Sequence, residues 1–416
     1  MYKMVGDNLE DKVGKKQLQI RNLYSFIQAI NHNASREELY NMYEECLGWL
    51  MGVRQMVLFI KEGERWNRAA QIDFEQFQQD DGAVLEAIRR IDPKSLYAVD
   101  QPDEEVLKDV RYIIPVLHKK EPLAYVVIGD IQLSPSEDIY EAIEFISMVT
   151  NIIVMAVENK RLFKEQLMKE KMRQELLVAE RVQRMLIPDR FPDNACISLS
   201  SLYIPHSGIG GDYFDYIPFD EDRFVLCMAD VSGKGISAAL LMANFQALVR
   251  TLIRHYRDLG AFIIALNDAV RSITRSERHL TFFVMDVNLK TRQVKYINAG
   301  HYPPILWTGK ECVDLKEGCT IIGCLEDLGP VREGEFTLEP GYMVLTFTDG
   351  LIEIFNADNE MMSDSFLKAI VRQYAHLSPA QFNEKLREKL IEYHGSDRFN
   401  DDIAILTMKY NGVCAV

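Results

Sequence analysis

Five aspartates in the second half of the chain stand where strand-like apolar runs begin or end. Asp212 follows two glycines in GIGGDYFDY, and Asp230 ends the apolar run of CMADVSGKG. Asp349 closes VLTFTDG, whereas Asp401 and Asp402 open DDIAIL. Hard divalent cations such as Mg²⁺ and Mn²⁺ prefer oxygen ligands and retained water. Two such ions about 3.5–4 Å apart activate water for phosphoryl transfer, so the pattern indicates metal-assisted phosphate chemistry.

Each aspartate taken singly has a simpler interpretation, because Asp-Gly is a common turn and a strand-end Asp often caps the backbone. Their recurrence favours the metal site. A nucleotide cradle at Lys234 is excluded, because G-x-x-x-x-G-K-[ST] requires Ser or Thr where Gly235 stands and an earlier glycine that is absent. The same mismatch disfavours a nucleotide cyclase.

The elements that must position these aspartates are strands in groups, separated by pairs of helices. Strands are predicted in CISLSSLYIP, RFVLCMADV, LTFFVMDVN, QVKYINAG, GYMVLTFTDG and DDIAILTMKY. Helices are predicted in SAALLMANFQALVRTLIRHY, LGAFIIALNDAVRSI, SDSFLKAIVRQYAH and SPAQFNEKLREKLIEYH. This order predicts an α+β domain of antiparallel sheets with helices packed outside.

A long helix is predicted before this domain, because neither Gly nor Pro occurs from Ser136 to Ile187. Seam positions step alternately by four and three residues, which favours a coiled coil and a homodimer. The alternative is one solvated helix packed on its own domain. The seam residues are Met168, Met172, Glu175, Ala179, Val182 and Leu186.

The first part of the chain predicts a separate α+β domain of helices, then strands, then an exit helix. Ser35 and Glu38 form a predicted capping box at the second helix. We therefore expect a sensor-like domain over 17–158, a helical linker over 159–188 and a second domain over 189–416.

Composition argues against several other classes of function. A net charge of −15 argues against nucleic-acid binding, which needs concentrated Lys and Arg. The N-terminus lacks an apolar signal core, and no run reaches the ~18 apolar residues of a membrane helix. Seven scattered cysteines predict reduced thiols, so we expect a cytoplasmic protein without membrane insertion.

Five motifs over 180–411 resemble the PPM family of metal-dependent serine/threonine phosphatases, of the bacterial RsbU/SpoIIE type. In order, they are GGDYFDY, ADVSGKGISAALLMA, INAGHYPPIL, FTDGLIE and DDIAIL. The preceding AERVQRMLIP is similar to the linker segment of RsbU-type proteins. The resemblance implies an αββα sandwich that holds two Mn²⁺ or Mg²⁺ ions.

By this resemblance Asp230 bridges both ions, and Asp349 and Asp401 bind the first. Asp212 and the main-chain carbonyl of Val231 bind the second. Asp230 and Asp349 are then the catalytic carboxylates, acting through a metal-bound water that attacks phosphorus.

Other residues have open roles in this resemblance. Lys234 attracts phosphate or is a solvated surface residue. Asn298 and His301 match a family motif, and His301 is either an acid for the leaving group or, more simply, structural. Asp402 is a neighbour of Asp401. Ala404 departs from the family, which usually has Thr at this position. It is therefore open which group supports Asp401 in place of the missing hydroxyl.

The first domain resembles a GAF domain in its helices, its RYIIPVLHKKEPLAYVVIGDI hairpin and its exit segment MAVENKRLF. A PAS-like sensor is the alternative, and no ligand can be named.

The resemblance implies a sensor-regulated protein phosphatase acting on a phosphorylated anti-anti-sigma (STAS) protein. The alternative is a catalytically weak scaffold of the same fold. We expect signals to pass through the linker residues Met168, Met172, Ala179, Val182 and Leu186.

Overall fold

The computed structural model describes residues 2–73, 81–92, 96–99, 105–118, 121–134, 137–206, 208–256 and 258–414, with side chains from residue 13 onward. These residues form two compact units, Met1–Glu170 and Lys171–Val416.

The N-terminal unit is a five-stranded antiparallel sheet with helices on both faces, in the strand order β2-β1-β5-β4-β3. The predicted Ser35–Glu38 capping box is present at α2. Short helical turns lie at Cys46–Leu50 and Glu105–Leu107. The elements are α1 (Tyr2–Asn31), α2 (Arg36–Glu45), β1 (Val53–Glu62), β2 (Arg65–Ile72), α3 (Asp81–Ile91), β3 (Tyr97–Ala98), β4 (Tyr112–His118), β5 (Glu121–Ile131) and α4 (Ile139–Arg184).

Apolar side chains on both faces of the N-terminal sheet explain its two helical layers. Ile146 and Ile153 of α4 pack with α1, α2 and one face of the sheet. Val84 and Ile88 of α3 pack on the other face, against Phe59 and its neighbours. The unit is thus α+β, as the order of helices and strands predicts.

Helix α4 is long and apolar enough, by composition alone, to cross a membrane. Nearly half of its most apolar window is buried inside the unit, where Ile143, Ile146, Val149 and Ile153 belong to the core. Core packing therefore accounts for the apolar stretch. The helix runs without interruption to Arg184, so Leu186 lies beyond its end, whereas Met168 and Val182 are exposed on it.

The C-terminal unit is a sandwich of two sheets. One has the order β13-β10-β9-β8-β7, with β14 paired to β10, and the other the order β12-β11-β15-β16-β6. A short helical turn lies at Asp349–Leu351. The elements are β6 (Ile197–Ile204), β7 (Tyr213–Pro218), β8 (Arg223–Val231), α5 (Ile236–Leu252), α6 (Leu259–Thr274), β9 (Leu280–Asn288), β10 (Gln293–Ala299), β11 (Ile305–Trp307), β12 (Cys312–Asp314), β13 (Gly318–Cys319), β14 (Gly334–Thr337), β15 (Met343–Phe347), α7 (Asp364–Tyr374), α8 (Pro379–His394) and β16 (Ile403–Tyr410).

Three apolar layers hold this sandwich together. Helices α5 and α6 cover the first sheet, and α7 and α8 cover the second. The middle layer lies between the sheets and includes Met228, Phe283 and Leu406. The predicted αββα sandwich is confirmed. Strand β7, which the sequence analysis did not predict, is an edge strand that follows Asp212 directly.

One cysteine pair differs from the expected reduced thiols, because Cys196 and Cys414 form a disulfide. Their Cα atoms lie 4.3 Å apart across 218 residues of sequence. Pairing of β6 with β16 brings the two segments together, and the Asn411 amide donates to the Cys196 carbonyl at 2.8 Å. Cys46, Cys227, Cys312, Cys319 and Cys324 are free.

Candidate metal centre

The five aspartates line one cleft at an edge of the sandwich. Asp212 lies beside the end of β8 because β7 and β8 are antiparallel, with Tyr213 opposite Ala229. Asp349 and Asp401 meet for the same reason, since β15 ends where β16 begins. Each sheet thus contributes carboxylates to the cleft, and residues nearly 200 positions apart come together.

Glycine is required next to Asp212 because the backbone there approaches β8 closely. A Cβ atom on Gly211 would lie 2.8 Å from the Val231 carbonyl oxygen, the atom that the sequence analysis assigns to the second ion. A side chain at this position would therefore separate the loop from the strand. The glycine keeps Asp212 and the Val231 carbonyl adjacent.

Burial and mutual repulsion raise the pKa values of four carboxyl groups of the cleft, those of Asp212, Asp230, Asp349 and Asp402. Burial, followed by the charges of Asp349, Asp401 and Asp402, raises the pKa of Asp230 to about 7. Burial and then the Asp230 charge raise the pKa of Asp212 well above its usual range. Like charges in a partly dry cleft repel one another, so a bound cation would stabilise the ionised carboxylates.

The donor set fits a hard divalent cation, because it consists of carboxylate oxygens and one main-chain carbonyl. Among the described residues, however, no three acidic, His or Cys side chains converge on a single point that would enclose an ion. An open cleft of this kind suits Mg²⁺ or Mn²⁺, since Mg²⁺ keeps several water ligands and takes only one or two carboxylates.

Lys234 lies in this cleft and pairs with a predicted ligand. Its Nζ donates to Asp401 Oδ2 at 2.7 Å, and this hydrogen bond raises the pKa of the lysine. Gly233 and Gly235 on either side have φ values of 103° and 73°, which favour glycine. The lysine therefore offsets part of the negative charge of the predicted ligands.

A threonine that the sequence analysis did not single out supports Asp212. The Thr348 hydroxyl donates to Asp212 Oδ2 at 2.7 Å and accepts from the Ala404 amide at 3.0 Å. Ala404 itself is fully buried between the sheets. Asp401 instead accepts from the Asp402 amide at 2.9 Å, in addition to the Lys234 contact. In the sequence, Thr348 could have been found from its position directly before Asp349 in FTDG.

We expect Thr348→Val to weaken Mn²⁺ binding about tenfold, because loss of an outer hydrogen-bond partner typically reduces metal affinity 10–100-fold. Thr348→Ser keeps the hydroxyl and is the matched control. Isothermal titration calorimetry with Mn²⁺ measures the dissociation constant of each variant. Equal constants for the valine and serine variants would contradict the role of the hydroxyl.

His301 and Asn298 form a buried structural motif outside the residues that line the cleft. The side-chain Oδ1 of Asn298 accepts from the His301 amide at 2.8 Å, and His301 Nδ1 lies 2.8 Å from Thr281 Oγ1. Burial lowers the pKa of His301 to about 4, so the ring is neutral at pH 7. This geometry favours a structural role for His301 over a role as the acid for the leaving group.

Asp402 holds the segment that leads to Asp212. Its Oδ1 accepts from the His206 amide at 2.8 Å, and burial raises its pKa.

His279, which the sequence analysis missed, also lines the cleft and is exposed there. No motif or spacing around His279 distinguishes it in the sequence.

Residues 220–411 match the family model described as Stage II sporulation protein E (SpoIIE). Phosphoserine phosphatase RsbU of Bacillus subtilis (strain 168) is 22% identical over 310 residues, which cover 74% of this chain and 87% of RsbU. Phosphoserine phosphatase RsbP of the same organism is 26% identical over 187 residues, which cover 44% of this chain and 46% of RsbP.

The fold has a solved counterpart in the SiaA-PP2C domain of Pseudomonas aeruginosa. Its TM-score is 0.53 at 24% identity, and the match covers 58% of this chain and 98% of that domain. Phosphatases of the PP2C class are metal-dependent, in agreement with the oxygen-rich cleft. Residues 220–411 therefore form a SpoIIE-family domain with the PP2C fold, of the kind found in protein serine/threonine phosphatases.

Proposed function

We propose that the protein is a sensor-regulated phosphatase that uses two Mn²⁺ or Mg²⁺ ions. Its proposed substrate is a phosphoserine or phosphothreonine on a STAS-type anti-anti-sigma protein, in a partner-switching pathway of the cytoplasm. The observation that carries the catalytic part is the convergence of carboxylates from both sheets on one cleft. The long alignment with RsbU supports the substrate class.

The residues of the chain have distinct tasks in this proposal. Asp230, Asp349 and Asp401 hold the cations from the strand ends, and Asp212 holds them with the Val231 carbonyl. When bound, two divalent ions lower the pKa of water and neutralise charge on phosphoryl oxygens. Lys234 attracts the phosphoryl group and, by its contact with Asp401, keeps that ligand in place.

Hydrolysis of p-nitrophenyl phosphate by the full chain tests the catalytic proposal. We expect turnover that requires Mn²⁺ or Mg²⁺ and stops on addition of EDTA. A properly folded chain that binds Mn²⁺ but hydrolyses no phosphate ester would support the alternative of a catalytically weak scaffold.

A panel of phosphorylated STAS proteins from the organism that encodes this chain tests the substrate proposal. Selection must come from fit to a folded surface, because an activated water has no sequence preference of its own. We expect one STAS phosphoprotein to react much faster than a peptide with the same phosphosite. Equal rates would contradict the proposed specificity.

The N-terminal unit is proposed as a GAF-like sensor, and α4 as the linker that pairs two chains. The five-stranded sheet covered by helices on both faces supports a sensor of the GAF or PAS kind. Exposure of Met168, Met172 and Val182 supports pairing, because 74%, 48% and 55% of these side chains are open to solvent. Covering them with a second copy would bury apolar surface.

We expect Met168→Glu to shift the chain from dimer to monomer, because it places like charges in the seam. Gln166→Glu adds the same charge at an exposed position outside the seam and is the matched control. Light scattering measures the mass, and the hydrolysis rate shows whether pairing regulates activity. A monomeric wild type, or a dimeric Met168→Glu variant with an unchanged rate, would contradict regulation through the linker.

A further inference from the structure

Two of the described residues that line the metal cleft carry a side-chain N–H donor, Lys234 and His279. The others are aspartates, glycines, a valine and two hydroxyl residues. Lys234 already donates to Asp401 Oδ2 at 2.7 Å. Within the described part of the chain, no hydrogen bond or ion pair involves the ring of His279, whose one side-chain or main-chain donor in use is its amide. The ring is therefore available to a ligand in the cleft.

Strand pairing places the His279 side chain on the face of the sheet that carries Asp230. Asp230 lies opposite Thr281 in the antiparallel pair of β8 and β9. The ladder continues past β9, because the Ser232 amide donates to the His279 carbonyl at 3.0 Å. Side chains alternate between the two faces, so Leu280 points into the core beneath α5 and α6, and His279 points to the cleft. Two residues along a strand span about 7 Å, so a gap the size of a phosphate separates His279 from the row that holds Asp230.

The backbone of His279 is held on both sides. On one side its amide donates to Ser232 Oγ at 3.2 Å, and the Arg278 guanidinium donates to the Ser232 carbonyl at 3.2 Å. On the other side a Cβ atom on Gly323 would lie 2.9 Å from the Arg278 carbonyl oxygen. The buried Asn267 fixes Gly323, because its Oδ1 accepts from the Gly323 amide at 2.9 Å. A held backbone beneath an unpartnered ring reduces the ordering that a ligand contact costs.

We propose that His279 binds the phosphoryl group of the substrate, by donating a ring N–H to one of its oxygens. The inference rests on the proposed function, since it assumes that cations at the aspartates hold the phosphoryl group in this cleft. A neutral imidazole carries one N–H, so the contact needs no change of protonation. Carboxylates repel a phosphoryl anion, whereas a nitrogen donor beside the cations attracts and orients it.

Binding of inorganic phosphate to the full-length chain, saturated with Mn²⁺, tests this contact by calorimetry. We expect His279→Ala to weaken phosphate binding about tenfold, because a hydrogen bond to a charged group usually contributes that factor or more. His279→Gln keeps an N–H donor and should bind phosphate within about threefold of wild type. His255→Ala removes an exposed histidine beyond the end of α5, outside the residues that line the cleft, and is the matched control.

Steady-state hydrolysis of p-nitrophenyl phosphate separates substrate binding from a merely structural role. We expect His279→Ala to raise KM about tenfold and to keep kcat within about twofold of wild type, because loss of binding common to ground state and transition state affects KM alone. The dissociation constant for Mn²⁺ should remain that of wild type. A weaker Mn²⁺ affinity in His279→Ala would make this histidine a metal ligand and would overturn the inference.

Unchanged phosphate affinity and KM in the folded His279→Ala chain would also overturn it, as would a Mn²⁺-loaded wild type that binds no phosphate. The binding measurement does not require turnover. A wild type that binds Mn²⁺ and phosphate without hydrolysing phosphate esters would therefore refute the proposed function alone, and the comparison of His279→Ala with His255→Ala would still decide the role of His279.

Discussion

Asp230→Asn is expected to abolish metal-dependent hydrolysis while leaving the fold intact. Asp230 lies at the end of a central strand, between carboxylates contributed by both sheets. Replacement of its carboxylate by an amide keeps the shape but removes a charge that two cations are proposed to share. Metal ions supply several kcal/mol of transition-state stabilisation, so we expect a loss of about three orders of magnitude or more in kcat/KM.

Hydrolysis of p-nitrophenyl phosphate over a range of Mn²⁺ concentrations measures this loss. Asp222→Asn makes the same chemical change at an exposed turn and should retain wild-type turnover. Circular dichroism and thermal unfolding show whether Asp230→Asn is folded. Turnover near that of wild type in a folded Asp230→Asn chain would refute the two-metal assignment.

Arg250→Met is expected to destabilise the C-terminal unit without touching the cleft. Asp215 on β7 is fully buried, and Arg250 of α5 donates to it through Nε at 2.7 Å and Nη2 at 2.9 Å. Removal of the arginine leaves a buried carboxylate with the Tyr213 hydroxyl and the Tyr216 amide as its donors. Loss of one partner of a buried pair usually costs about 3–5 kcal/mol.

We expect about 2–3 kcal/mol here, because the remaining donors and the half-exposed Arg250 side chain reduce the penalty. For a unit of this size the midpoint of thermal unfolding should fall by roughly 5–10 °C. Arg250→Lys keeps the charge but not the two-pronged geometry, and should lie between wild type and Arg250→Met. An unchanged midpoint in Arg250→Met would show that the pair contributes nothing to stability.

Local patterns in the sequence were sufficient for the aspartates and for most of the elements that carry them. Apolar runs predicted β8, β9 and β16 almost to the residue, since a strand buried on both faces is apolar along its length. The capping box at Ser35 was readable because its partners lie three residues apart. Five motifs in order identified the phosphatase class, and the family match bears this out.

The supporting contacts of the cleft could not be read in the same way, because their partners are distant in the chain. Thr348 reaches Asp212 across 136 positions, and Lys234 reaches Asp401 across 167. Asp402 likewise reaches the His206 amide across 196 positions. Strand β7 was missed because glycines and aspartates surround its short apolar segment.

The physical reason for this division is the range of each interaction. Hydrophobic periodicity and capping act over a few residues, so the composition of a short segment determines them. Which strand ends meet depends on the pairing of β7 with β8 and of β15 with β16, and on the packing of the two sheets. The sequence alone therefore predicted the aspartates as ligands, whereas the folded sandwich determined which hydroxyl, amide and ammonium groups contact them.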